Sequence, residues 1–113
     1  MCSQTTLNLI TDKVVSAVKD KLGEKLDKVI LYGSYARGDF DDESDIDIMV
    51  LANIRTTEAD QLDMLLTRFA NRLGLEYDIV VSLFVKDCES FYKFLPADPF
   101  YQSVLNDGVL LSA

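Results

Sequence analysis

The stretch that decides the fold is "LYGSYARGDFDDESDIDIMVL", residues 31–51. It begins and ends as apolar, strand-like sequence, yet six of the residues between positions 39 and 47 are acids. Like charges gathered next to an apolar run repel one another, so the folded chain gains little from this arrangement by itself. The stretch is therefore either a solvated acidic loop or a site built to hold something positive.

The spacing of four residues within the stretch favours a site. Gly33 and Ser34 follow the first strand directly, and a strand-to-helix turn containing glycine presents backbone N–H groups and a helix dipole to an anion. Asp45 and Asp47, with one residue between them on a strand, place their carboxylates on one face about 6–7 Å apart along the backbone. A phosphate-binding turn beside paired carboxylates is what a nucleoside triphosphate with its Mg²⁺ requires.

One rival phosphate-binding motif is excluded by the same residues. Gly33 to Gly38 also matches the G-x-x-x-x-G of a P-loop, but Asp39 and Phe40 stand where that motif requires Lys followed by Ser or Thr. Without its lysine, and facing several acids, such a loop cannot neutralise phosphates.

Composition narrows the chemistry further. The chain has 113 residues, enough for one compact domain, and carries a net charge of −8 with its basic residues scattered. Direct binding to nucleic acid is therefore not expected. The sequence contains no histidine, which excludes Ser-His-Asp and Cys-His catalysis and imidazole zinc sites. Any metal would be held by oxygen ligands, which favours Mg²⁺ or Mn²⁺.

The sequence predicts a cytoplasmic location. No apolar run approaches the roughly 20 residues of a membrane span, and the N-terminal residues lack the pattern of a signal peptide. Cys2 and Cys88 form no CxxC pair and no disulfide framework, so a reducing compartment is expected.

Hydrophobic periodicity predicts an α+β chain, with a small sheet covered on one face by helices. Glycine at position 74 is taken as the end of the second long helix, and Glu76, Asp78, Val80 and Ser82 are expected to share one face of the strand that follows. The expected elements are a helix over 5–22, strands over 28–32 and 46–51, a helix over 57–73, a strand over 75–85, and two short helices separated by Pro96 and Pro99.

The spacing Gly33-Ser34, ten residues, Asp45-Ile46-Asp47 resembles the G-S-x10-D-x-D signature of the DNA polymerase β-like nucleotidyltransferase superfamily. The wording "GSYARG…SDIDIMV" also resembles the minimal nucleotidyltransferase (MNT) domain proteins, most strongly over residues 29–51. The resemblance implies a polymerase β-like fold, a small mixed β-sheet with helices packed on one face, with residues 1–113 as a single minimal nucleotidyltransferase domain. It assigns triphosphate binding to Gly33 and Ser34, and binding of two Mg²⁺ ions, or Mn²⁺, to Asp45 and Asp47.

The resemblance also implies a third acid on a later strand, which completes the metal site and helps to activate the attacking hydroxyl. Asp78 matches that position, and Glu76 is its rival. Arg37 is the nearest positive group: it could bind a phosphate, or it could hold the acidic loop through Asp39, Asp41 or Asp42, the second role being favoured. Ser44 is expected to brace the turn into the second strand.

By resemblance, the chain transfers AMP from ATP to a tyrosine hydroxyl of a HEPN-domain toxin and acts as the antitoxin. Two alternatives stay open: a non-catalytic module that neutralises its partner by contact, and an enzyme that modifies a small, aminoglycoside-like molecule. Five aromatic residues of the tail are expected mainly to close a small core, and otherwise to dock a partner. These residues are Phe91, Tyr92, Phe94, Phe100 and Tyr101.

Overall fold

The structure, a computed structural model, describes residues 3–113, so Cys2 lies outside the described residues. Helices and strands alternate along most of the chain. They are α1 (Gln4–Leu22), β1 (Leu26–Tyr32), α2 (Ser34–Arg37), β2 (Ile46–Ala52), α3 (Thr56–Tyr77), β3 (Val81–Asp87), α4 (Cys88–Phe94), α5 (Pro99–Asp107) and β4 (Val109–Ser112).

The four strands form one mixed sheet in the order β3-β2-β1-β4. β1 runs antiparallel to both β2 and β4, whereas β2 and β3 are parallel. Parallel neighbours need a long crossover, which α3 supplies, while antiparallel β1 and β2 are joined through α2 and the acidic loop. The expected small mixed sheet with packed helices is confirmed. Strand β4 was not among the elements expected from the sequence.

The larger core lies between one face of the sheet and the helices α1 and α3. Alternate residues of β1 and β2 point into it, among them Val29, Ile48 and Val50, which are fully buried. The side of α1 that the periodicity predicted is buried against them, and Ser3 caps this helix by accepting a hydrogen bond from the Thr6 N–H.

A second, smaller helical layer covers part of the opposite face. Phe91 on α4 and Val104 on α5 pack on Ile30, Met49 and Leu51. The sequence predicted helices on one face only, whereas α4 and α5 cover part of the other face as well. That face stays open beside β3, where Phe84 is 54% exposed, and beside β4, where Leu110, the partner of Ile30, is 54% exposed. The core-closing role expected for the aromatic tail is confirmed for Phe91 and the partly buried Tyr101, whereas the other three aromatic side chains are exposed.

The end of α3 and the start of β3 were predicted wrongly. The helix continues through Gly74 to Tyr77, and β3 begins at Val81. Gly74 does not stop the helix; it makes room for the returning chain, since a Cβ there would lie 2.5 Å from the carbonyl oxygen of Ile79. Asp78 ends the helix instead, in a left-handed conformation (φ 55°) that aspartate tolerates better than most residues, with its N–H bonded to the Gly74 carbonyl.

Within residues 3–113, every helix is too short or too polar to cross a membrane.

Candidate active site

The turn after β1 brings Gly33 and Ser34 to the edge of the sheet face that α4 and α5 partly cover. Gly33 has φ 77° and ψ −156°, a conformation open essentially to glycine alone, and Ser34 begins α2 immediately afterwards. The first N–H groups of any helix lack partners within that helix, so this turn directs donors outward. The strand-turn-helix predicted at Gly33-Ser34 is confirmed.

The carboxylate of Asp47 lies against this turn. Asp47 pairs across the sheet with Tyr32, the residue before Gly33. A Cβ built on Gly33 would lie 2.6 Å from Oδ2 of Asp47, so the absence of a side chain at position 33 is what admits the carboxylate. Asp45 is exposed one residue before β2, and its neighbour Ile46 is fixed by an N–H bond of 2.9 Å to the Val80 carbonyl.

The surroundings of Asp47 disfavour the charged form of its carboxyl group. Burial raises its pKa, and the nearby charge of Asp45 raises it further, while Arg37 opposes both. The same carboxylate acts on its cross-strand neighbour: burial, with the charge of Asp47, raises the pKa of Tyr32 to about 12. A bound cation would relieve this accumulation of negative charge.

The donor set fits a divalent magnesium-type cation. Asp45 and Asp47 supply carboxylate oxygens, the ligands that Mg²⁺ and Mn²⁺ prefer, and Oδ2 of Asp47 lies against the turn at Gly33. Among residues 3–113, however, no three Asp, Glu, Cys or His side chains converge on one position. Within the described part of the chain, this site thus has the carboxylates of Asp45 and Asp47 and no third one.

The acidic loop is braced internally. The Nε of Arg37 donates to Oδ2 of Asp39 at 3.2 Å, which is the loop-holding role favoured from the sequence. Ser44 accepts a bond of 2.9 Å from the Asp41 N–H and donates to the Asp41 carboxylate, as expected for a residue that shapes the turn into β2. Arg37 still lies close enough to act on Asp47 electrostatically.

Neither candidate for the third acid lies on β3. Asp78 terminates α3 three residues before the strand begins, and Glu76 lies within α3, where it pairs with Lys13 at 3.4 Å. Strand β3 does not extend back to either residue, because the helix continues to Tyr77. The role of Asp78 thus stays a prediction, and the structure does not bring this residue into a cluster with Asp45 and Asp47.

Two side chains beside Asp47 were not singled out from the sequence as site residues. Tyr32 is its neighbour on β1 and Ser82 its neighbour on β3, in register on the same sheet face. Nothing in the sequence distinguished Tyr32 from an ordinary residue at the end of a strand. Ser82 was placed on the correct strand face, but strand register is set by tertiary pairing and left no signal in the sequence.

Comparison with known proteins agrees with this geometry. The family described as a nucleotidyltransferase domain matches residues 11–111. A Methanocaldococcus jannaschii protein named as a candidate protein adenylyltransferase, MJ0141, is 40% identical over 88 residues, covering 78% of this chain and 81% of that protein.

Solved structures with a similar fold include two toxin–antitoxin crystal structures. One is an MntA–HpeT variant with two Asp-to-Glu substitutions placed two residues apart; its TM-score is 0.55 at 25% identity, over 91% of this chain and 73% of that chain. The other contains AMP-PNP and has a TM-score of 0.52 at 25% identity, over 89% of this chain and 72% of that chain. With a family match that spans most of its length and includes the turn at Gly33-Ser34 and the pair Asp45 and Asp47, this chain belongs to the nucleotidyltransferase domain family.

Proposed function

We propose that this protein transfers AMP from ATP to a hydroxyl of a protein partner, by resemblance a tyrosine of a HEPN-domain toxin, and thereby acts as an antitoxin. The observation that carries the proposal is the contact between Asp47 and Gly33. A carboxylate, the type of group that binds Mg²⁺, lies beside a glycine turn at the start of a helix, the type of turn that binds phosphate, and this arrangement supports a metal–triphosphate site.

In the proposed reaction the acceptor oxygen forms a bond to the α-phosphorus, and the bond between that phosphorus and the bridging oxygen to the β-phosphate breaks. Pyrophosphate leaves, and the hydroxyl proton is released to solvent. Ser34 and the backbone N–H groups at the start of α2 bind the phosphates that leave. Asp45 and Asp47 orient the nucleotide by holding its cation, and bound Mg²⁺ would supply neutralisation of phosphate charge.

Several features support a protein acceptor. The similar M. jannaschii protein is named for protein adenylylation, and the similar solved folds come from toxin–antitoxin complexes. The acidic loop and the net charge of −8 suit a partner with a basic surface. The AMP-PNP complex of a similar fold supports ATP as the donor.

The test is a labelling assay. The protein is incubated with ATP labelled at the α-phosphate, Mg²⁺ and a HEPN-domain protein, and transfer of label to the partner is measured together with pyrophosphate release. We expect both in the wild type and neither in the double variant Asp45→Asn with Asp47→Asn. The double variant Asp12→Asn with Asp20→Asn removes the same charge from exposed positions of α1 and should keep full activity.

Other outcomes identify the alternatives. Neutralisation of a toxin that survives the Asp45→Asn, Asp47→Asn double change would indicate a contact-only module. Labelling of an aminoglycoside in the absence of any partner protein would indicate a small-molecule enzyme. Either result contradicts the proposed function.

A further inference from the structure

The two sides of Asp47 differ in what the chain places there. On one side lie β1 and the turn at Gly33-Ser34, and on the other side lies β3. In an in-line displacement the attacking oxygen and the leaving group stand on opposite sides of the phosphorus. With the leaving phosphates at the turn, the acceptor hydroxyl must approach from the side of β3.

The first side chain on that side is Ser82. The parallel register of β2 and β3 pairs Ser82 with Asp47, and paired residues of neighbouring strands point to the same face. Ser82 is half-buried, and the residues on either side of it along this face, Val80 and Phe84, are 59% and 54% exposed. The approach to Ser82 is therefore not covered by α4 or α5.

The acid predicted for this side is held elsewhere. Asp78 is fixed in the left-handed turn that ends α3, with its N–H bonded to the Gly74 carbonyl, and the next residue, Ile79, donates to the same oxygen at 3.0 Å. Unwinding the last turn of α3 would not bring Asp78 beside Asp47 either, because in the register of β2 and β3 it would still lie four residues before Ser82, the partner of Asp47. The side of the site next to β3 thus has a neutral hydroxyl in register with Asp47.

We propose that Ser82 is the positioning residue on the acceptor side of the site, supplying a neutral oxygen where a third carboxylate would otherwise complete the cation's ligands. This inference rests on the proposed function for the direction of attack. It predicts that the wild-type protein binds a free divalent cation weakly, because only two carboxylates contribute.

The test is Mn²⁺ binding to nucleotide-free protein, followed by calorimetry or by the electron paramagnetic resonance of free Mn²⁺. Ser82→Asp should tighten Mn²⁺ binding by about tenfold, because metal affinity rises with the number of charged ligands. Phe84→Asp is the matched control. It adds the same charge to the same face of β3, at the next position along that face, and should change the Mn²⁺ affinity less than threefold.

Asp78→Asn separates this inference from the sequence-based assignment. If Ser82 occupies the position, Asp78→Asn leaves Mn²⁺ affinity within twofold of the wild type, whereas Asp47→Asn lowers it by about tenfold or more. The inference is overturned if Asp78→Asn weakens binding as much as Asp47→Asn, or if Ser82→Asp binds no more tightly than Phe84→Asp. Melting curves of each variant establish that it is folded.

A failure of the proposed function would appear in different measurements from a failure of this inference. Absence of ATP binding and of label transfer in the wild type would overturn the proposed function. The ranking of Ser82→Asp against Phe84→Asp is measured without nucleotide or partner, and it decides the placement of Ser82 by itself.

Discussion

Replacing Gly33 by alanine should damage both the fold and the site, for two separable reasons. The first is the backbone, because φ 77° with ψ −156° is a conformation that residues with a Cβ adopt only under strain. The second is the new methyl group, which would lie 2.6 Å from Oδ2 of Asp47 and so would force that carboxylate to move.

The two costs can be estimated separately. The backbone strain is about 1–3 kcal/mol. Displacing the carboxylate into a poorer rotamer adds about 0.5–1.5 kcal/mol, for a combined loss of about 1.5–4.5 kcal/mol in the free energy of unfolding. In a domain of this size about 1 kcal/mol corresponds to about 4 °C, so the melting temperature should fall by about 6–18 °C.

The assay is thermal unfolding of metal-free protein, combined with Mn²⁺ and ATP binding below the transition. Gly38→Ala is the matched control, since Gly38 also has a positive φ, 82°, but has no atom within 4 Å of the position of a Cβ. Its left-handed conformation should cost about 1–2 kcal/mol in stability without moving Asp47. Gly33→Ala should therefore lose ligand binding, and Gly38→Ala should keep it.

A double-mutant cycle isolates the contact. In an Asp47→Ala background the nearest remaining atom of residue 47 is its Cβ, 3.6 Å away, so Gly33→Ala should then cost only the backbone part. The expected coupling is about 0.5–1.5 kcal/mol. Additive stability losses, or wild-type Mn²⁺ affinity in Gly33→Ala, would refute the contact between Asp47 and Gly33.

Three further predictions concern stability. Because the pKa of Asp47 is raised in the fold, ionisation of this carboxyl destabilises the metal-free protein as the pH rises. Asp47→Asn should therefore raise the melting temperature at pH 7. The gain should vanish as the pH falls below the ordinary carboxyl pKa of 3.8, where Asp47 is protonated in both the folded and the unfolded chain. Asp63 accepts the N–H of Val85 at 2.8 Å, so Asp63→Ala should cost about 1–2 kcal/mol in urea unfolding, and exposed Asp60→Ala almost nothing. Phe91→Ala, at a fully buried position, should cost about 3–5 kcal/mol, whereas Phe94→Ala, 53% exposed, should cost far less; equal losses would contradict a second core on the α4 side.

Local patterns predicted the part of the site that depends on neighbours in sequence. Gly33 and Ser34 are adjacent in sequence, and the short helix α2 begins at Ser34. Asp45 and Asp47 share a face because strand side chains alternate with a period of two. Nothing beyond a few residues of chain is needed for either result.

The location of Asp78 could not be predicted in the same way. Its placement depended on where α3 ends, and a glycine in the helical pattern was read as the end. Gly74 instead serves a contact with Ile79, five residues further along the chain, and only the packed structure reveals that contact. The error placed the start of the strand at position 75 instead of position 81 and so assigned Asp78 to the strand.

The sequence alone therefore determined the alternation of helix and strand, the turn at Gly33-Ser34 and the pair of acids, since each is set by short-range spacing and backbone preference. The tertiary structure decided which side chains meet. Register placed Ser82 and Tyr32 beside Asp47, and the packing of β1 against β2 brought the Asp47 carboxylate onto Gly33. The physical reason is that strand pairing fixes contacts between residues tens of positions apart, for which local periodicity carries no information.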